Sequence, residues 1–242
     1  MENLATRPFA MRTMADKIIA FNAALEFTGP LPQGASVLNP FHVRQGAMEA
    51  SAAFYRKYYS DNEPRYLILG INPGRFGAGL TGVPFTDPKR LQGYCGINSY
   101  EGPNAHEPSS AFVYAMIEEY GGAEKFYAKF FITSICPLGF TAKGKNGRPV
   151  NLNYYDSKIL ADSVRGFMIE CLRKQLAFGI RREVCFCLGT GKNEKHISAM
   201  NKEYGLFGKV AALEHPRYIM QYKAKRRQDY IAKYINYFKA LA

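Results

Sequence analysis

Apolar positions along this chain come in two patterns, and their alternation predicts the architecture. RYLILG (65–70), KFFITSICPL (129–138), EVCFCLG (183–189) and GKVAALEHP (208–216) are compact runs without polar alternation, as strands covered on both faces require. Before, between and after them lie segments with apolar residues at helical spacing: 11–28, 47–59, 109–122, about 156–178, 191–205 and 224–240. The Pro- and Gly-broken stretch TGPLPQGASVLNPF (28–41) and the polar TAKGKNGRPVNLNYYD (141–156) are expected to be irregular. Strands alternating with helices predict an α/β fold. We expect one domain over 1–242, with a central, mostly parallel four-stranded sheet flanked by helices and residues 1–37 as an N-terminal helical extension. Ligands of such sheets bind outside the carboxyl ends of the strands. The residues to weigh are therefore Asn72-Pro73-Gly74, Ser134 to Pro137, Gly189 to Lys192 and Glu214-His215-Pro216.

Charge narrows the class of partner. Lys and Arg outnumber Asp and Glu by 32 to 20, a formal net charge of +12, which favours a polyanion. KAKRRQ (223–228) concentrates four cations, and no basic amphipathic helix suggests a membrane surface, so nucleic acid is the expected partner. No apolar run approaches a membrane span, and the N-terminus lacks a basic segment leading into an apolar one, so a cytoplasmic location is expected. The five cysteines contain no C-x-x-C pair and read as reduced, packed thiols. Four histidines without an H-E-x-x-H give no support for a metal site.

The loop NPGRFGAGLTGVPF (72–85) is glycine-rich enough to suggest a phosphate cradle, but Gly74, Gly77 and Gly79 do not fit G-x-G-x-x-G. GTGKN (189–193) fails as a P-loop, because Phe186 and Asn193 stand where glycine and Ser or Thr are needed. A serine hydrolase is disfavoured by the lack of a G-x-S-x-G elbow. That leaves Asn72 and His215 at two strand ends. An Asn before Pro also initiates turns, and a strand-end His is often only solvated, so the residues alone leave both readings open.

Taken together, these segments resemble the uracil-DNA glycosylase superfamily, and within it the single-strand-selective monofunctional branch. GINPGRFGAGLTGVPF (70–85) is similar to the first motif, FFITSICPLGF (130–140) to the branch's F-x-x-x-x-C-P-L strand, and LEHPRY (213–218) to the second catalytic motif. CFCLGTGKN (185–193) and FYRKYY (54–59) match in order, so the resemblance spans about 38–235. It implies a monomeric, metal- and cofactor-free glycosylase of base excision repair that removes uracil from DNA. Asn72 would hold the attacking water and His215 would donate to the uracil O2. Ile71 and Gly74 would shape the base pocket, Phe85 would stack on the base, and the loop glycines would let the backbone close around it. A loop PRYIMQYKAKRR would enter the DNA, with Arg217, Tyr218 and Ile219 filling the space left by the base and Lys223, Lys225, Arg226 and Arg227 on phosphates. The chain departs from the family at Ser134, where the family strand has Asn, which opens the pocket to other deaminated bases. It departs again at HPRY, where His-Pro-Ser-Pro is usual. The reading from another class is a non-catalytic nucleic-acid-binding protein of the same fold.

Overall fold

The computed structural model describes residues 13–43 and 46–241; the reading of residues 1–12, including the start of the helix expected at 11–28, lies outside the described residues. Strands β1 (Ala35–Leu38), β2 (Arg65–Gly70), β3 (Phe130–Ser134), β4 (Gly139–Lys143), β5 (Pro149–Leu152), β6 (Ile180–Leu188) and β7 (Lys209–Leu213) form two sheets. The helices are α1 (Met14–Ala23), α2 (Pro40–Val43), α3 (Ala47–Tyr58), α4 (Ala78–Thr81), α5 (Pro88–Gly93) and α6 (Pro108–Tyr120), followed by α7 (Ala123–Lys129), α8 (Lys158–Leu176), α9 (Lys192–Tyr204), α10 (Pro216–Tyr222) and α11 (Arg227–Leu241).

The main sheet has the order β3-β2-β6-β7 with every pairing parallel, as the unalternated apolar runs require. Adjacent residues of a strand face opposite sides, and β3 shows both sides to be covered. Phe130 packs with Phe126 of α7 and Phe238 of α11, at ring-centroid distances of 5.0 and 4.9 Å. Phe131, next along, meets Tyr55 of α3 and Phe178 just after α8. Because all four strands run the same way, Gly70, Ser134, Leu188 and Leu213 end at one edge, with Gly70 directly opposite Ser134. All five cysteines are buried and free.

Two stretches expected to be irregular form the second sheet. β1 lies in the first of them, β4 and β5 form a hairpin that takes in most of the second, and the order is β1-β4-β5, all antiparallel. Each strand has only four or five residues and is buried on no more than part of its length, so it carries no long apolar run. The stretch after His215 is also not a loop. Pro216 opens α10 at the first helical position, where its missing N–H costs nothing, and a short 3-10 turn at Ala224–Arg226 leads into α11.

Candidate active site

Asn72 lies two residues beyond β2, and its side-chain amide is fixed by the backbone that follows the β4–β5 hairpin. Oδ1 accepts from the Tyr154 N–H at 3.0 Å, and Nδ2 donates to the Leu152 carbonyl at 3.1 Å. The amide orientation is thereby set, and one lone pair of Oδ1 remains to receive a hydrogen bond. Tyr154 is held in turn. Its hydroxyl donates to Oδ1 of buried Asn193 at 2.9 Å, and Asn193 donates to the Leu188 carbonyl at the end of β6. The GTGKN segment that fails as a phosphate loop thus braces Asn72 through Tyr154.

His215 caps the N-terminus of α10: its Nδ1 accepts from the Arg217 N–H at 3.1 Å. With Nδ1 used as an acceptor, the neutral ring carries its proton on Nε2, the nitrogen left for a ligand. Burial, aided by the positive charge of Arg217, pushes the His215 pKa down to about 4. The imidazole is therefore neutral at physiological pH and is a donor without being a cation.

Phe85 stands 5.7 Å from the His215 ring, centroid to centroid. Its backbone is left-handed, φ 53, the one non-glycine residue with positive φ among the described residues. For a bulky residue this is strain, of a kind concentrated at functional sites. Gly70 makes room for the ring: a Cβ there would lie 2.8 Å from Phe85 and 3.5 Å from Ser134 Oγ. Ser134 is buried, and its hydroxyl makes no hydrogen bond with the described residues. Ile71, Asn72, Gly74, Phe85, Ser134 and His215 all line one small open pocket. Its mouth, a wider groove, is bordered by Asn151, Asn153 and Tyr155 from the hairpin side and by Arg217, Tyr218 and Tyr222 of α10. The arrangement offers an oriented acceptor, a neutral imidazole donor, an aromatic face and a free hydroxyl around one pocket that opens into the wider groove.

The sequence profile of the Uracil DNA glycosylase superfamily matches residues 56–239, most of the chain. The chain belongs to the uracil-DNA glycosylase superfamily. Among solved structures, wild-type Pedobacter heparinus SMUG2 is 57% identical and superposes with a TM-score of 0.93, covering 96% of this chain and 99% of that one. A curated rat (Rattus norvegicus) relative, single-strand selective monofunctional uracil-DNA glycosylase, is 30% identical over 115 residues. That alignment takes in 40% of this chain and 41% of the rat protein's length. The rat relative carries the name of the branch to which the motifs pointed.

Against this glycosylase fold, one expected DNA-contacting residue is misplaced. Ile219 is fully buried under α10, because the segment is a helix whose inner face packs on the body of the protein; it cannot fill a gap in DNA. Arg217 and Tyr218, two and one positions earlier, are exposed. Lys225, Arg226 and Arg227 are exposed on the 3-10 turn and the start of α11, outside the pocket, and Lys223 is half-buried. Arg226 is ion-paired with Asp229 at 2.9 Å. The glycines of the first motif also serve another purpose. Cβ atoms at Gly74 and Gly77 would meet the Glu107 carboxyl, and one at Gly79 would meet Leu38, so they admit protein atoms. Sequence reasoning missed Glu107, Asn151, Tyr155, Tyr222 and the exposed Phe76 with Arg75 stacked on it at 4.2 Å. Asn151 ends up there because β5 carries it to the groove, with Asn153 just beyond the strand's end.

Proposed function

We propose that the protein is a monofunctional DNA glycosylase that hydrolyses the N-glycosidic bond of uracil, and of related deaminated bases, as the first step of base excision repair. What carries this reading is the convergence of the oriented Asn72 amide and the neutral His215 on one pocket in a chain of this superfamily. The target base leaves its stack and enters between Phe85 and the strand edge. Asn72 Oδ1 holds a water by accepting a hydrogen bond from it, and the water oxygen attacks C1′ of the sugar. Negative charge develops on the departing base, and His215 Nε2–H donates to its O2. Such a donor is worth about 3 kcal/mol where water is excluded. A neutral donor suits this role because it stabilises the anion without having to be deprotonated first.

No lysine lines the pocket, which supports water as the nucleophile and an abasic site as the product. Ser134, able to donate or accept, tolerates more than one base edge. Arg217 and Tyr218 contact the DNA at the mouth, while Lys223, Lys225, Arg226 and Arg227 attract its phosphates. Among the described residues no helix is long and apolar enough to cross a membrane. We take the enzyme to act in the cytoplasm as a monomer, since the pocket is built within one chain.

The reading is tested by incubating the protein with single- and double-stranded oligonucleotides containing one uracil, hypoxanthine or xanthine, then cleaving at alkaline pH. Strand breaks at the uracil, appearing only after alkali, are expected. Breaks without alkali would contradict a monofunctional enzyme, and no excision from any substrate would leave only nucleic-acid binding.

A further inference from the structure

Glu107 is the last residue before α6, in the helix-capping position, yet its side chain makes no capping hydrogen bond. Its backbone is held from below: the Glu107 N–H donates to Oδ2 of buried Asp87 at 2.7 Å. Asp87 is occupied further by the Arg90 N–H and guanidinium, at 2.9 and 3.0 Å, with His106 Nδ1 at 3.5 Å. The Glu107 side chain instead turns towards the loop that carries Asn72. A Cβ at Gly77 would lie 1.9 Å from its Oε2, and one at Gly74 would lie 3.1 Å from its Oε1. Two glycines of the first motif therefore leave the space that this carboxyl fills.

The carboxyl lines both the base pocket and its mouth. Among the described residues no hydrogen-bond donor reaches it and no cation pairs with it within 4 Å. A half-buried carboxylate with no donor is costly, and neither helix capping nor an ion pair accounts for its place. We infer that Glu107 is the general base of the pocket, accepting the proton of the water that Asn72 holds. The inference rests on the glycosylase reading above. As the water oxygen bonds to C1′, the C1′–N1 bond breaks and its electron pair leaves on the base. The water's proton passes to Glu107, which later releases it to solvent. Asn72 orients the water but is too weak a base to take that proton, so the two residues divide the work.

Burial and the neighbouring Asp87 charge raise the Glu107 pKa to about 7, with Arg217 offsetting part of the rise. A base is most effective when its pKa lies near the working pH. The charged and titratable groups around it are Asp87, Arg90 and His106 on the α5 side, Arg75 in the Asn72 loop, and His215 and Arg217 on α10. His215 titrates well below the window in question.

Single-turnover excision from a single-stranded uracil oligonucleotide, followed from pH 5.5 to 8.5 for the wild type and Glu107→Gln, tests the assignment. The wild-type rate should rise through an inflection near pH 7. The Gln variant should be about 100-fold slower at pH 8 and lose the inflection. Its affinity for an uncleavable 2′-fluoro-deoxyuridine oligonucleotide should be unchanged. Its Tm at pH 8 should not fall, since the raised pKa means that ionising Glu107 costs the folded state stability as pH climbs from about 4.5 to 7. Glu107→Asp should keep an inflection at a reduced rate. A Gln variant that retains the wild-type pH profile, or loses only affinity, overturns the assignment and leaves the glycosylase reading intact. A wild type that excises nothing overturns both.

Discussion

At the residue scale, Phe85 has a left-handed backbone, and the absence of a side chain at Gly70 leaves room for its ring. Gly70→Ala would put a methyl 2.8 Å from the ring, so the ring must shift from its place at the pocket. We expect excision to fall by at least about tenfold while far-UV circular dichroism stays native, as a displacement of about 1 Å at reacting groups can cost that much or more. His215 gives a pH signature of opposite sense to that of Glu107. Its folded pKa lies below the unfolded value of 6.5, so the stability linked to keeping it neutral is present above pH 6.5 and is lost as pH falls towards 4. Urea midpoints from pH 7 to 4 should therefore drop more steeply for the wild type than for His215→Gln. Asn72 and His215 were legible because a motif marks each. The φ of Phe85 and the placement of Glu107 were not, since one is a tertiary strain and the other depends on space left by glycines thirty positions away.

At the element scale, the β4–β5 hairpin and α9 do the positioning. Tyr154→Phe removes the hydroxyl that pairs with Asn193 Oδ1 and leaves a buried acceptor unsatisfied, at a cost of about 1–3 kcal/mol. Excision should also fall, because the Tyr154 N–H that orients Asn72 loses its brace; a variant destabilised with an unchanged rate would separate the two roles. The parallel strands were readable because burial on both faces writes an unbroken apolar run. The hairpin was not, because its short strands are polar enough to pass for a loop. α10 was hidden for a related reason: Pro216 reads as a breaker from the strand side, although it is a favourable first residue from the helix side. That misreading is what put Ile219 on the surface.

At the scale of the whole molecule, the net charge of +12 and the exposed cations at 225–227 predict binding governed by counterion release. The dissociation constant for undamaged single-stranded DNA should weaken steeply with salt. Changing Lys225 and Arg227 to Gln should each lower the slope of log K against log[salt] by about one, with little effect on the excision step. Charge was visible in the sequence, but its position relative to the pocket was set by the fold, which places the cluster beside the groove and gives the mouth to Arg217, Tyr218 and Tyr222.

The central claim is that Asn72, by holding the water, and His215, by donating to the departing base, both act directly in the chemistry of the pocket. It is tested most directly by the single-turnover rate of uracil release for the wild type, Asn72→Ala and His215→Ala, with binding to the uncleavable oligonucleotide measured alongside. The account predicts that each variant keeps its affinity and loses about 10²–10³ in rate. Variants that excise uracil at close to the wild-type rate would contradict it.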